Sequence, residues 1–209
     1  MESNDNIPAD EMAYARRARP QEKPKMTNEL FASLTPSEKR VAIARDVLEW
    51  LSEGRLKAKS GMYIAVYETP AMEPGESLRS VDIEDINRYS CQACALGSVF
   101  ALASFRCGLS IGAAARAEVP INEAIHEQLR DIFDARQLAQ IECAFEASPG
   151  FDYEVLSRDE AQAAAQFGRR VAVPICTLRD AAAYQASRDA RVMRAIMQNI
   201  IDNDGTFVP

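Results

Sequence analysis

Residues 91–107 read CQACALGSVFALASFRC, and this stretch decides the fold class. Its large apolar residues, Leu96, Val99, Phe100, Leu102 and Phe105, fall on most faces of a helical wheel. Between them stand Ala93, Ala95, Gly97, Ser98, Ala101 and Ala103, small enough to let neighbouring elements approach closely. A helix that is apolar nearly all round is a buried one. The stretch therefore predicts a central buried helix beginning at Cys91, with Ser90 as its cap. The fold class that follows is mainly α, α+β at most: a compact helical domain around that helix, with one or two short strands.

The flanking sequence supplies the packing partners. Thr35-Pro36-Ser37-Glu38 is a capping box with proline at the first helical position. The stripe Ile43, Val47, Leu48, Leu51 follows it, and Gly54 ends the helix as a left-handed cap. Residues 61–67, GMYIAVY, are β-branched and aromatic and read as a strand. Residues 68–87 form a polar loop, long for a connection without structure of its own, with room for a short element around 80–86. A helix is expected over 121–132. Another runs from Asp134 to Ala147 with Leu138, Ile141 and Phe145 inward, and its Asp-Ala-Arg-Gln start mimics a capping box. Ser157-Arg158-Asp159-Glu160 opens a further helix that Gly168 is expected to stop. Residues 171–176 read as a short extended piece, weakened as a central strand by Pro174. The last helix spans 187–203 on the stripe Val192, Met193, Ile196, Met197, Ile200, Ile201. Gly205 stops it, and the apolar end Thr206-Phe207-Val208-Pro209 is expected to dock.

Composition sets the bounds. The chain has 209 residues, 47% of them hydrophobic, which suits one domain with a normal core. Residues 1–27 lack periodicity and are rich in Pro, Asn and charge, so they read as a disordered tail ahead of a single domain over 28–209. The Arg16-Arg17-Ala18-Arg19 cluster in that tail is a solvated run that could touch an acidic partner. No apolar run approaches the roughly 20 residues of a membrane helix, and no secretory h-region stands at the start. The expected location is the cytoplasm, with no membrane association. Five cysteines in apolar or helical patterns fit reduced thiols there rather than a disulfide scaffold. Net charge is −7; the tail's charges cancel, so the remainder carries it. No Lys/Arg cluster suited to phosphates appears in the domain, so direct nucleic-acid binding is not expected. An acidic surface could instead face a basic partner.

Chemistry-bearing residues are few. Cys91-Gln92-Ala93-Cys94 at a helix start is the sharpest motif, because free amide groups and the helix dipole favour a thiolate. In a redox reading Cys91 attacks and Cys94 resolves. Val173-Pro174 resembles the proline that faces such a motif in the thioredoxin fold, but residues 85–90 are not strand-like and no hairpin follows Pro174. The competing reading has both cysteines as small residues filling a tight helix interface. A Cys–His nucleophile would need His126, the only histidine, whose neighbours Glu123, Glu127 and Arg130 suggest an exposed face. Structural zinc wants closely spaced ligand pairs, and only Cys91/Cys94 is one. Asp202-Asn203-Asp204-Gly205 lacks the first and closing ligands of a calcium loop. Neither a metal nor a cofactor is expected, and GxxxxGK[ST], GxGxxG and HExxH are absent.

Three segments carry a resemblance: CALGS at Cys94–Ser98, RAIMQNIIDNDGTFVP at Arg194–Pro209, and the leading helix VAIARDVLEWLSEG. Together they resemble uncharacterised proteins of bacteriophages and proteobacterial prophages, in which a Cys-Ala-Leu-Gly helix and an "NII…G…FVP" ending recur. The resemblance covers about half the chain in scattered pieces. It implies a phage accessory role, such as binding a host or defence protein, and implies no chemistry. The leading expectation is thus a non-enzymatic protein-binding module, making contact through 68–87 and an acidic face. The alternative is a thiol-dependent enzyme using Cys91 and Cys94. Oligomeric state is not legible.

Overall fold

The computed structural model describes residues 27–61, 63–67, 90–107, 129–149, 155–172 and 181–209. These form a mainly helical fold with one small sheet. In chain order they are α1 (Asn28–Ser33), α2 (Pro36–Glu53), β1 (Leu56–Ala58), β2 (Ile64–Tyr67), β3 (Ser90–Ala93), α3 (Ala95–Cys107), α4 (Ala135–Glu146), α5 (Arg158–Val171) and α6 (Ala181–Asp202).

The central helix is present, and every residue of α3 from Ala95 to Ser104 is buried. Its start differs from expectation. Ser90–Ala93 is not the first helical turn but a strand, and it is the middle strand of the sheet, in the order β1-β3-β2. β1 runs parallel to β3, with Leu56 opposite Cys91 and Ala58 opposite Ala93. β2 runs antiparallel to it, with Ile64 opposite Ala93 and Tyr67 opposite Ser90. The physical reason is hydrogen bonding. The Cys91 amide donates to the Arg55 carbonyl at 2.8 Å, and the Lys59 amide to the Ala93 carbonyl at 2.9 Å. The buried backbone of 90–93 finds its partners in neighbouring strands rather than in its own next turn.

α2 and α5 carry complete capping boxes, Thr35 with Glu38 and Ser157 with Glu160. α4 has half of one: the Asp134 carboxylate accepts from the Gln137 amide at 2.7 Å, while the buried Gln137 side-chain oxygen has no partner. α1, held by a Thr27 cap, was not anticipated. α6 begins six residues before the expected Ser187. Gly168 does not stop α5, which continues to Val171. It serves close approach instead, since a Cβ there would overlap the Ala144 carbonyl of α4. Gly61, expected in a strand, lies in a turn at φ +70°. The helix expected over 121–132 falls mostly outside the described residues, as do residues 1–26, 68–89 and 173–180.

The core gathers the inward faces of α2, α3, α4 and α6 with Phe31, Leu56, Ile64 and Phe207. A buried two-pronged pair joins α2 to α3: Arg106 Nε to Asp46 Oδ2 at 2.6 Å and Nη2 to Oδ1 at 2.7 Å. The last residues dock as expected. Phe207 is buried edge-to-face against Phe167, centroids 5.2 Å apart. Asn199 holds Val208 by both its backbone groups at 2.8 Å. Arg40 donates to the carbonyls of Gly205 (2.5 Å) and Ile132 (2.6 Å), tying α2 to the turn after α6 and to the approach to α4. Among the described residues no helix is long and apolar enough to cross a membrane.

Candidate functional site

The strand-to-helix switch decides what the cysteines can do. Cys91 lies within β3, fully buried, rather than at a helix start. Burial pushes its thiol up to about 11, with the Arg55 charge acting in the opposite sense. Cys94 takes the helix-start position. Its carbonyl accepts from the Ser98 amide at 2.9 Å and from the Ser98 hydroxyl at 2.8 Å, and its Sγ receives the Gly97 amide at 3.4 Å. Burial nevertheless pushes this thiol up to about 12; the Gly97 and Leu96 amides oppose that shift, and Glu146 and Glu142 add to it. At neutral pH both groups are therefore neutral thiols. The redox reading requires an accessible, low-pKa Cys91; here Cys91 is fully buried and its thiol is raised. Cys143 is also buried; Cys107, at the end of α3, is exposed. His126 and Cys176 lie outside the described residues. Among the described residues no group of three His, Cys, Asp or Glu is arranged to hold a metal ion.

The densest polar assembly is one the sequence did not announce. It surrounds the turn between β1 and β2. Asp189 of α6, 2% exposed, accepts from the Ser60 amide (2.9 Å), the Ser60 hydroxyl (3.1 Å), Gln185 Nε2 (2.9 Å) and Arg188 Nη1 (2.7 Å). Arg188 sends Nη2 to the Phe145 carbonyl of α4 at 3.0 Å. From α4, Glu146 accepts the Gly61 amide at 3.1 Å and Glu142 accepts the Tyr63 hydroxyl at 3.1 Å. Burial, followed by Glu142, raises the Tyr63 phenol above its ordinary value. Behind the turn, α3 presses so close that a Cβ on Gly97 would overlap the Tyr63 carbonyl. The turn is thus clamped from three helices. One signal could have found this cluster. Asp189 sits three and four residues before Val192 and Met193, on the continuation of the apolar stripe. A carboxylate on a buried stripe requires partners.

Two shallow grooves flank α2. One, of about 360 Å³, runs past Leu34, Val41, Arg45 and Asp204. The other, of about 440 Å³, lies between α1 and the end of α3, with Phe31, Lys39, Arg106 and Cys107 on its walls. Neither reaches the clamped turn or the two buried thiols. No protein-family model, curated protein or solved structure matches the chain.

Proposed function

We propose that this chain is a non-enzymatic protein-binding module, of the accessory kind that phages and prophages carry, acting on a host or defence protein with a basic surface. The observation that carries this reading is the placement of its charge. Within the described residues acids and bases nearly balance. The excess negative charge lies in the stretches between them, most of all in 68–89, where Glu68, Glu73, Glu76, Asp82, Glu84 and Asp85 face only Arg79 and Arg88. That acidic stretch leaves the sheet at Tyr67 and returns at Ser90, and these two residues are paired across β2 and β3. The residues that bracket it, Tyr67 and Ser90, are therefore held side by side on a sheet whose turn is clamped from three helices. A concentrated charge on a fixed mount steers a complementary partner and sets its orientation.

The test compares wild type with a variant in which those six acids become Gln or Asn, each used as tagged bait in a proteobacterial lysate. Wild type is expected to recover a basic protein at physiological salt, to lose it at about 0.5 M salt as screening takes over, and the variant to lose it at both. Recovery of the same proteins by the variant, or of none by wild type at physiological salt, overturns the reading.

A further inference from the structure

The groove of about 440 Å³ between α1 and the end of α3 combines apolar walls with an unanswered charge. Phe31 and Ala32 of α1 line one side, and Cys107, the last residue of α3, stands at the other with its thiol exposed. Lys39 of α2 lies over the Phe31 ring, its Nζ 5.8 Å from the centroid. Among the described residues no carboxylate comes within salt-bridge reach of that ammonium. The neighbouring Arg106 is committed to Asp46. Such a groove suits an occupant that brings apolar side chains together with negative charge. The described chain also begins at this groove. Asn28 and Glu29, the first residues of α1, line it, and residues 1–26 lead into them. Within those 26 residues the two halves differ. Residues 16–25 hold five bases against one acid and would bring more positive charge to Lys39. Residues 1–15 hold no Lys or Arg, and 7–14 join Ile7, Met12 and Tyr14 to Asp10 and Glu11.

We propose that the groove between α1 and α3 is the seat of the chain's own residues 7–14, with their apolar side chains against Phe31 and Ala32 and their two acids facing Lys39. Reach sets no obstacle. Residues 15–26 span up to about 40 Å when extended, and the groove lies at their point of attachment. A segment tethered so near is present at an effective concentration on the order of millimolar. The groove is therefore closed by default, and any other ligand for it must first displace the chain's own segment.

Cys107 is a reporter inside the groove, and the full chain serves for both measurements. A neutral alkylating reagent is applied near pH 8, and labelling of Cys107 is followed peptide by peptide by mass spectrometry. A triple variant, Ile7→Ser, Met12→Ser and Tyr14→Ser, keeps every charge, so it leaves the field at the thiol as it was. It is expected to label Cys107 several-fold faster than wild type. Separately, Ser3→Cys, Ala13→Cys and Ala18→Cys variants are oxidised mildly at low protein concentration. A free segment closes its loop faster the shorter its tether, which puts Ala18→Cys first. Docking of 7–14 puts Ala13→Cys first, as an intrachain disulfide to Cys107. Equal labelling of wild type and the triple variant would overturn the proposal, as would cross-linking that simply falls with distance from Thr27. Cross-links found only between two chains would give the groove to a second copy and overturn it as well.

Discussion

A thiol at the head of a helix ordinarily feels the free amide groups as a positive field. At Cys94 that field is present, through the Gly97 and Leu96 amides, yet the thiol is raised to about 12. Loss of water and two nearby carboxylates together outweigh two amide dipoles. Cys91, without a helix start of its own, is raised to about 11. Native protein treated with a thiol-alkylating reagent near pH 8 should therefore label Cys107 and leave Cys91, Cys94 and Cys143 unlabelled until denaturant is added, as mass spectrometry would show. The sign of the alkaline effect follows. These raised thiols contribute stability that is fully present below 9.0 and is lost as pH rises through about 11 and 12. Denaturant titrations of a Cys91→Ala, Cys94→Ala double variant should show a flatter alkaline decline than wild type. Gly97 and Gly168 act at the same scale through what they lack. Either one changed to Ala forces a Cβ into a neighbouring carbonyl. Each substitution should cost about 1–3 kcal/mol, the usual range for overpacking, read as a lower denaturant midpoint with an unchanged slope.

Elements differ in how clearly the sequence shows them. α2 and α4 are legible because their caps and 3.6-residue stripes agree, α5 through its capping box, and the body of α6 through its stripe. The switch at 91–95 is not, because Cys-Gln-Ala-Cys-Ala has no β-branched residue and no alternation. A short buried strand and a buried helical turn look alike in such a run. β1, Leu56-Lys57-Ala58, is too short to carry a pattern, and it is a strand only because β3 pairs with it. The clamp is illegible for another reason: Ser60, Glu146 and Asp189 stand far apart in sequence, and only the tertiary fold brings them together. Asp46 gives the same lesson in a more readable form. It lies between Ile43 and Trp50 on the buried face of α2, and Arg106 of α3 answers it. Truncating one member of a buried pair leaves the other charge stranded. Asp46→Ala should therefore cost about 3–5 kcal/mol, while an Asp46→Ala, Arg106→Met double variant should recover much of that loss. A double-mutant cycle by denaturant unfolding measures the difference. Asp134→Ala, which removes the half capping box of α4, should cost only about 1 kcal/mol.

Across the whole molecule the defining contacts are distant in sequence. α6 packs on α2, and residues 204 and 205 close over the head of α2 through Ser37 and Arg40, while Asn199 of α6 holds Val208. Phe207→Ala should accordingly behave as a core deletion, costing about 3–5 kcal/mol, although it lies two residues from Pro209. Its thermal midpoint should fall well below that of Val208→Ala, whose side chain is half exposed. The order β1-β3-β2 has a consequence for a chain that leaves the ribosome from its first residue. β1 and β2 are synthesised before the strand that separates and joins them, so neither has a ladder partner until residues 90–93 emerge. When those residues arrive, they bring the buried helix α3 directly behind them. Sheet and core must then assemble together, late and through non-local closure, which slows folding and prolongs exposure of unpaired strands. The apolar face of α2 waits longer still, since α6 is translated after all of these. A nascent chain halted before α6 would therefore be a natural client for a chaperone.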